Sequence, residues 1–277
     1  MGDAAFQHLH NALDYQEREG VLPGEPVEKI KPGLDDIDDM IPEQILRVQA
    51  EGGQGLARQI ALRGTLEPLL AIFGWHLQQG IHVEGINFYT AFCVEGNTHA
   101  IRKHDRQKAK RNNALWVAEQ LGIKLHIIDI VDEYKDVVIN PRHGYGANLN
   151  PCLDCKIFMV HKALDWIRDH GFDFIITGEV IGQRPMSQRK ITLPLVADES
   201  GADDLLLRPL CAKNLPETRP EREGWINREQ LHDFHGRSRK PQIALAREFG
   251  FSDFAQPAGG CCFLTDASYS AKLSDLW

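Results

Sequence analysis

The sequence predicts a doubly wound α/β fold with a mostly parallel sheet. Three observations lead there. Short apolar runs alternate with amphipathic stretches from residue 58 onward, the amphipathic stretches reach the dozen or so residues that a parallel crossover needs, and polar glycine-containing segments follow the apolar runs. With 277 residues, 43% hydrophobic and 25% charged, the chain can bury a full core. A disulfide-stapled miniprotein, wholesale disorder and a collagen-like repeat are excluded.

Taken in order, residues 60–62 read as a strand, 66–79 as a helix ending at Gly80, and 82–88 as a second strand. A basic helix is expected over 106–121, closed by Gly122, then a third strand over 124–129. Residues 155–169 read as a helix because Ile157, Val160, Leu164 and Ile167 fall on one face. A fourth strand is expected over 172–177 and a further one over 204–210, with short helices over 227–234 and 241–249. In such a sheet ligands lie at the carboxyl ends of the strands, so segments 63–68, 89–96, 130–152 and 178–190 are the ones to search.

The net charge is −8, but 11 acidic and only 4 basic residues fall in the first 50, so nearly all of the excess lies there. Residues 1–57 therefore read as an acidic N-terminal extension, broken by Pro23, Gly24, Pro26, Pro32 and Gly33, and residues 58–277 as the α/β domain with its C-terminal cysteine segment. The near-neutral remainder is compatible with a local basic surface for nucleic acid. No run approaches the ~18 to 20 apolar residues that cross a bilayer, and the N-terminus has neither a basic leader nor an apolar core. A cytoplasmic protein with no membrane partner is expected, and its six cysteines are then expected as thiols, metal ligands or redox centres.

NPCLDC at 150–155 places a CxxC pair just before a helix, and AGGCC at 258–262 lies about a hundred residues downstream. A helix N-terminus stabilises a thiolate and makes a cysteine there a nucleophile or a ligand. Cys152, Cys155, Cys261 and Cys262 converging on one point would fit zinc or an iron-sulfur cluster. Cys93 and Cys211, each isolated, read as small core residues.

TGEVIGQRPMSQRK at 177–190 directly follows an apolar strand. Thr177, Gly178 and Gly182 permit close backbone approach, while Gln183, Arg184, Arg189 and Lys190 supply donors for phosphate or base edges. Basic clusters at Arg102 to Arg111, at Arg184, Arg189 and Lys190, and at Arg237, Arg239 and Lys240 suit a phosphate backbone. His143, with Asp154 and Glu179, offers acid or base chemistry.

NPCLDCKIFM, ITGEVIGQRPMSQRK, LLLRPL, GRSRKPQIALA and PAGGCCFLTD, in this order, resemble the PP-loop ATP pyrophosphatases, specifically the group related to tRNA 2-thiouridylases and to the pyrophosphatase domain of tRNA 4-thiouridine synthetases. The likeness covers roughly residues 58–273. It implies the adenine nucleotide alpha hydrolase (PP-loop) fold and an ATP-dependent tRNA sulfurtransferase. ATP with Mg2+ activates a uridine carbonyl oxygen of tRNA, and sulfur from a cysteine persulfide or a cluster displaces AMP. A sulfur donor such as a cysteine desulfurase or sulfur-carrier protein is implied as partner, and a homodimer is compatible with it. By motif, Cys155 and Cys261 or Cys262 match the 2-thiouridylase pair, while Cys152, Cys155 and one of Cys261 or Cys262 match the related three-cysteine set that holds a [4Fe-4S] cluster. Gly64, Thr65, Thr177, Gly178, Gln183, Arg184 and Arg208 match the nucleotide positions, with Arg208 placed beside the phosphates. The family's SGGxDS signature is altered here to RGTLEP at 63–68: Gly64 is kept, and Arg63, Thr65, Glu67 and Pro68 are departures. The alternative reading is a non-catalytic nucleotide- or cluster-binding sulfur carrier.

Overall fold

The computed structural model describes residues 58–62, 81–93, 113–251 and 262–276. The chain divides into two compact units, Gln54–Asp266 and Met1–Gly53 with Ala267–Trp277. Among its described residues the first holds five strands: β1 Arg58–Leu62, β2 His82–Tyr89, β3 Leu125–Asp129, β4 Phe174–Thr177 and β5 Leu206–Leu207. They are ordered β3-β2-β1-β4-β5, and every pair is parallel. The doubly wound parallel sheet expected from the sequence is therefore present.

Among the described residues of this unit, the helices of eight or more residues are α1 Asn113–Leu121, α2 Val131–Ile139, α3 Cys152–His170, α4 Thr192–Glu199 and α5 Lys240–Glu248. In the second unit the described element is α6, Ala267–Asp275. The core forms two apolar layers. β4 is buried along its whole length, with Phe174 and Ile176 in one layer beside Val83, Val117 and Leu121, and Ile175 in the other beside Ile86, Val160, Leu164 and Ile167. This period-2 division is what a parallel strand covered on both faces requires.

Helix α3 has the predicted face: Val160, Leu164 and Ile167 are buried and Ile157 is partly so. It starts three residues earlier than the apolar periodicity indicates and ends at Gly171, whose φ of 69° is the left-handed cap that glycine adopts without steric cost. The predicted basic helix appears as α1 from Asn113, residues 106–112 lying outside the described set, as does the helix expected over 66–79.

Two expectations are corrected. Residues 227–234 do not form a helix: a single 3-10 turn, Arg228–Gln230, leads into extended chain whose His232 and Phe234 amides donate to the Pro209 and Leu210 carbonyls, each at 2.9 Å. The strand expected over 204–210 shortens to Leu206–Leu207 because Asp203–Leu205 is itself a 3-10 turn.

Toward the amino end of the sheet Glu84 takes hydrogen bonds from His82, at 3.1 Å, and from His126 on β3. The His82 hydrogen bond, seconded by that of His126 and its charge, outweighs desolvation and holds the carboxyl at about 2 instead of 4.5. A depressed carboxyl contributes stability that is present above its unfolded value and is lost as pH falls toward its folded one. Glu84→Gln is therefore expected to flatten the decline of Tm between about pH 4.5 and pH 2. Parallel Tm-against-pH curves for the variant and the native chain over that window would contradict it.

Candidate active site at the carboxyl edge of the sheet

Strand order reverses between β1 and β4, and an open α/β sheet has its ligand crevice at such a point, beyond the carboxyl ends. Leu62 and Thr177 end these strands in register. The segment after Leu62, with Gly64 and Thr65, lies outside the described residues. The segment after Thr177 is the loop expected to meet a nucleotide.

That loop is built on Glu179. The Thr177 hydroxyl and Arg208 Nε both donate to Glu179 Oε2 at 2.9 Å, Arg208 Nη2 donates to the Leu193 carbonyl at 3.0 Å, and Lys156 Nζ lies 3.5 Å from Oε1. The Glu179 and Arg208 side chains are only 2% and 5% exposed. Burial pushes the Glu179 carboxyl up, but the charges of Lys156 and Arg208 and the hydrogen bonds from Arg208 and Thr177 bring it below the ordinary range. Glu179 is thus an anchor that ties the strand β4 exit to α3 and to the segment after β5, and Arg208 spends its guanidinium on it.

Gly178 is buried beside this anchor, and Gly182, at φ 78°, turns the chain so that its amide donates to the Gln188 carbonyl at 2.6 Å. Ile181 pairs with His235, and the Gly236 amide donates to the Ile181 carbonyl at 2.7 Å. This pairing brings the loop carrying half-buried Arg184 and exposed Arg189 and Lys190 against the segment carrying Arg237, Arg239 and Lys240. Two of the three predicted basic clusters therefore share a neighbourhood; the third, 102–111, lies outside the described residues. Gln183 reaches the buried Gln242 on α5, whose amide oxygen, in the orientation that satisfies both its ends, accepts from Gln183 Nε2 at 2.6 Å.

The cysteines gather at the same edge. Helix α3 opens at Cys152 after Pro151, whose carbonyl accepts from the Cys155 amide at 2.8 Å. Cys152 Sγ donates to Ser187 Oγ of the β4 loop at 3.6 Å, and Cys155 Sγ approaches Met159 Sδ at 4.0 Å. From the far end of the chain Cys262 Sγ donates to Asn150 Oδ1 at 3.5 Å, and Asn148 Nδ2 donates to the Thr265 carbonyl at 2.8 Å, so the NPCLDC segment and the C-terminal cysteine segment meet. Cys262 also forms an antiparallel bridge with Cys93, just past β2.

Tyr134 of α2 lies at the centre of this group. Its ionisation is pushed well above the ordinary phenol value by burial first, then by the charge of Cys155 and a hydrogen bond with it, then by Cys262 and Cys93. The neutral hydroxyl is a donor that stays in place beside the Cys155 sulfur. Tyr134→Phe should keep the fold, costing about 1 kcal/mol for the lost hydrogen bond, while slowing alkylation of Cys155 by iodoacetamide at neutral pH. An unchanged alkylation rate would remove Tyr134 from the site.

Cys211 behaves as read from the sequence. It is fully buried, donates to the Glu179 carbonyl at 3.3 Å, and burial pushes its thiol up to about 12, so it is inert. Cys93 does not: it is only partly buried and faces Cys262, where the sequence suggested an isolated core residue. Among the described residues no group of three or more His, Cys, Asp or Glu side chains is arranged to hold a metal ion. Cys152 bonds Ser187, Cys155 Tyr134 and Cys262 Asn150, an arrangement that does not fit the three-cysteine cluster; Cys261 lies outside the described residues.

His143 is bound on both sides, its Nδ1 3.1 Å from Asp154 Oδ1 and its Nε2 3.1 Å from Glu199 Oε1. Asp154 also accepts the Arg142 and His143 amides, at 3.1 and 3.0 Å. The three residues pin the 140–150 loop onto α3 and α4.

The tRNA methyl transferase HUP domain family matches residues 74–218, more than half of the chain. The chain belongs to that family. The matched segment of the HUP domain carries Cys93, Cys152, Cys155 and the whole β4 loop, while Cys262 lies beyond it. Among curated relatives, the chain is 25% identical over 205 residues to the tRNA-specific 2-thiouridylase MnmA of Jannaschia sp., covering 67% of this chain and 49% of that protein. It is 31% identical over 107 residues to MnmA of Pelobacter propionicus (36% of this chain, 27% of that protein) and 39% over 70 residues to MnmA of Akkermansia muciniphila (24% and 20%). The chain thus spans half or less of the length of these relatives. These matches bear out the resemblance to PP-loop proteins related to tRNA thiouridylases. No helix among the described residues is long and apolar enough to cross a membrane.

Proposed function

We infer that this HUP domain is an ATP-dependent tRNA sulfurtransferase of the thiouridylase kind, in which Cys155 and Cys262 handle the sulfur. The observation that carries the reading is that these two cysteines, 107 positions apart in sequence, both lie near buried Tyr134, with Cys262 also bonded to Asn150, at the edge of the sheet where a nucleotide would lie. ATP with Mg2+ supplies the adenylyl group that converts a uridine carbonyl oxygen into a leaving group, AMP. One cysteine of the pair carries the transferred sulfur as a persulfide, and its terminal sulfur forms the new bond to the uridine carbon. The other cysteine then attacks the carrier's Sγ, breaking the S–S bond to the product and leaving a Cys155–Cys262 disulfide. An external thiol then reduces the Cys155–Cys262 disulfide, and a desulfurase or sulfur-carrier protein recharges the freed carrier with persulfide sulfur.

Within this reading the loop that follows Thr177, with Gly178 and Arg184, meets the nucleotide, and Arg208 acts through Glu179 by holding the loop in place. The paired basic segments at 184–190 and 237–240 take the tRNA phosphates. A persulfide on cysteine is favoured over a cluster because no group of three or more His, Cys, Asp or Glu side chains among the described residues is arranged to hold a metal.

The test is to purify the protein without oxygen, incubate it with bulk tRNA, ATP, Mg2+ and a persulfide donor, and read thionucleosides by mass spectrometry. Thiouridine that appears only with ATP supports the enzyme. Sulfur bound to the protein with no thiouridine and no ATP cleavage would establish the carrier instead, and about four irons with four sulfides per chain would restore the cluster.

A further inference from the structure

Cys93 sits where nothing in the sulfur-transfer reading needs a thiol. It lies four residues past the end of β2, at the carboxyl edge of the sheet, and its bridge to Cys262 is antiparallel. The Phe263 amide donates to the Phe92 carbonyl at 2.9 Å. That bond joins the residue after Cys262 to the residue before Cys93, which makes the two cysteines a non-hydrogen-bonded pair. In such a pair the Cα atoms are about 4.5 Å apart and the side chains rise from the same side of the ladder. This falls within the ~4.4 to 6.8 Å that a disulfide spans. The Thr90 hydroxyl lies 3.2 Å from Cys93 Sγ, and the Phe92 amide donates to that hydroxyl at 3.4 Å, so the thiol is held by its own turn. Cys93 is partly exposed and Cys262 is 8% exposed, which leaves the pair within reach of a small thiol.

We propose that Cys93 is a third working thiol of the site, the resolving partner that forms a reversible cross-strand disulfide with Cys262. The inference rests on the sulfur-transfer reading for its place in the cycle, though the disulfide itself does not. After transfer, the Cys93 thiolate attacks Cys262 Sγ of the Cys155–Cys262 disulfide. The Cys93–Cys262 bond forms, the Cys155–Cys262 bond breaks, and Cys155 leaves as the thiolate that takes up the proton Cys93 lost. No net oxidation occurs in this exchange. The two electrons that finally reduce the Cys93–Cys262 bond come from an external thiol, either a small monothiol or a dithiol reductase. The consequence is that Cys155 is freed first, while Cys262 stays protected until a reductant arrives.

The test equilibrates the full chain with reduced and oxidised glutathione, quenches it with acid, alkylates it and maps the linked peptides by mass spectrometry. Cys155→Ser and the double variant with Cys261→Ser are both expected to give a peptide from the Cys93 region linked to that of Cys262, and Cys93→Ser is expected to give none. Cys93 recovered alkylated in those variants under conditions that oxidise Cys262 would overturn the proposal, as would Cys93 linked to another cysteine. In the thiolation assay with limiting monothiol, Cys93→Ser should slow the second and later turnovers relative to the first; equal slowing of both would also count against it. A native chain that forms the linked peptide but thiolates no tRNA would sink the sulfurtransferase reading and leave the thiol pair standing.

Discussion

Cys155→Ser and Cys262→Ser are each expected to bring tRNA thiolation down to background, a loss on the order of 10⁴-fold or more, as when a covalent nucleophile is removed. Serine nearly preserves the volume and can both donate to Asn150 Oδ1 and accept from Tyr134, so these partners keep their positions and Tm should move little. The variants lose the ability to form an S–S bond, which both the carrier and the releasing cysteine need. They should also differ from each other under single turnover. The carrier's variant takes up no persulfide, whereas the releasing cysteine's variant accumulates sulfur on the protein, or tRNA joined to it. Thiolation retained in either variant would overturn the assignment of the pair. Cys152→Ser should do far less, since its sulfur turns to Ser187 on the β4 loop.

Arg208→Ala is expected to have the largest effect on stability. Removing the guanidinium leaves the Glu179 carboxylate buried, with Lys156 at 3.5 Å as its remaining cation. Breaking a buried pair from one side costs about 3–5 kcal/mol, which for a chain of this size lowers Tm by about 6–20 °C. The nucleotide affinity should fall with it, because Glu179 and the Thr177 hydroxyl hold the loop at the β4 exit. Glu179→Gln, which keeps the shape but not the charge, should be milder than Arg208→Ala. An unchanged Tm together with a lost affinity for ATP would mean that Arg208 meets the phosphates directly and is not a positioning residue.

The sheet was legible because its signals are local. β2, β3 and β4 are short, mostly apolar runs, β4 leads into a polar, glycine-bearing loop, and α3 carries an apolar stripe with a 3.6-residue period. Helix α2 was harder to see because only Ile130 separates it from β3. Its buried Val131, Tyr134 and Val138 do recur at helical spacing, and the Asp129 side chain accepts the Val131 amide at 2.9 Å, so a signal was present in a stretch that reads as a polar loop. Helix α4 carries buried Leu193, Val196 and Ala197 at the same kind of spacing but is interrupted by Pro194 near its start.

The thiol site was legible only in part. CxxC before a helix and a distant Cys-Cys pair are visible as motifs, and the structure brings Cys155 and Cys262 to one edge, around Tyr134. Cys93 gave no such sign, because its neighbour is fixed by a bridge between segments some 170 residues apart. Tyr134 was equally hidden, since a tyrosine on a helix reads as core until the sulfurs beside it are placed. Arg208 sits in a matching motif, but its pairing with Glu179 depends on β4 and β5 being neighbours, which no local pattern states.

The most direct test of sulfur transfer by the Cys155 and Cys262 pair is a single turnover with radiolabelled sulfur. The native chain, loaded with ³⁵S persulfide and freed of donor, is mixed with tRNA in the presence and absence of ATP and Mg2+. The expected result is that label moves from protein to tRNA only with ATP, that Cys155 and Cys262 are afterwards found joined to each other or to Cys93, and that neither single serine variant passes label on. Label that stays on the protein with ATP and tRNA present, or that reaches tRNA equally well without ATP, would contradict it.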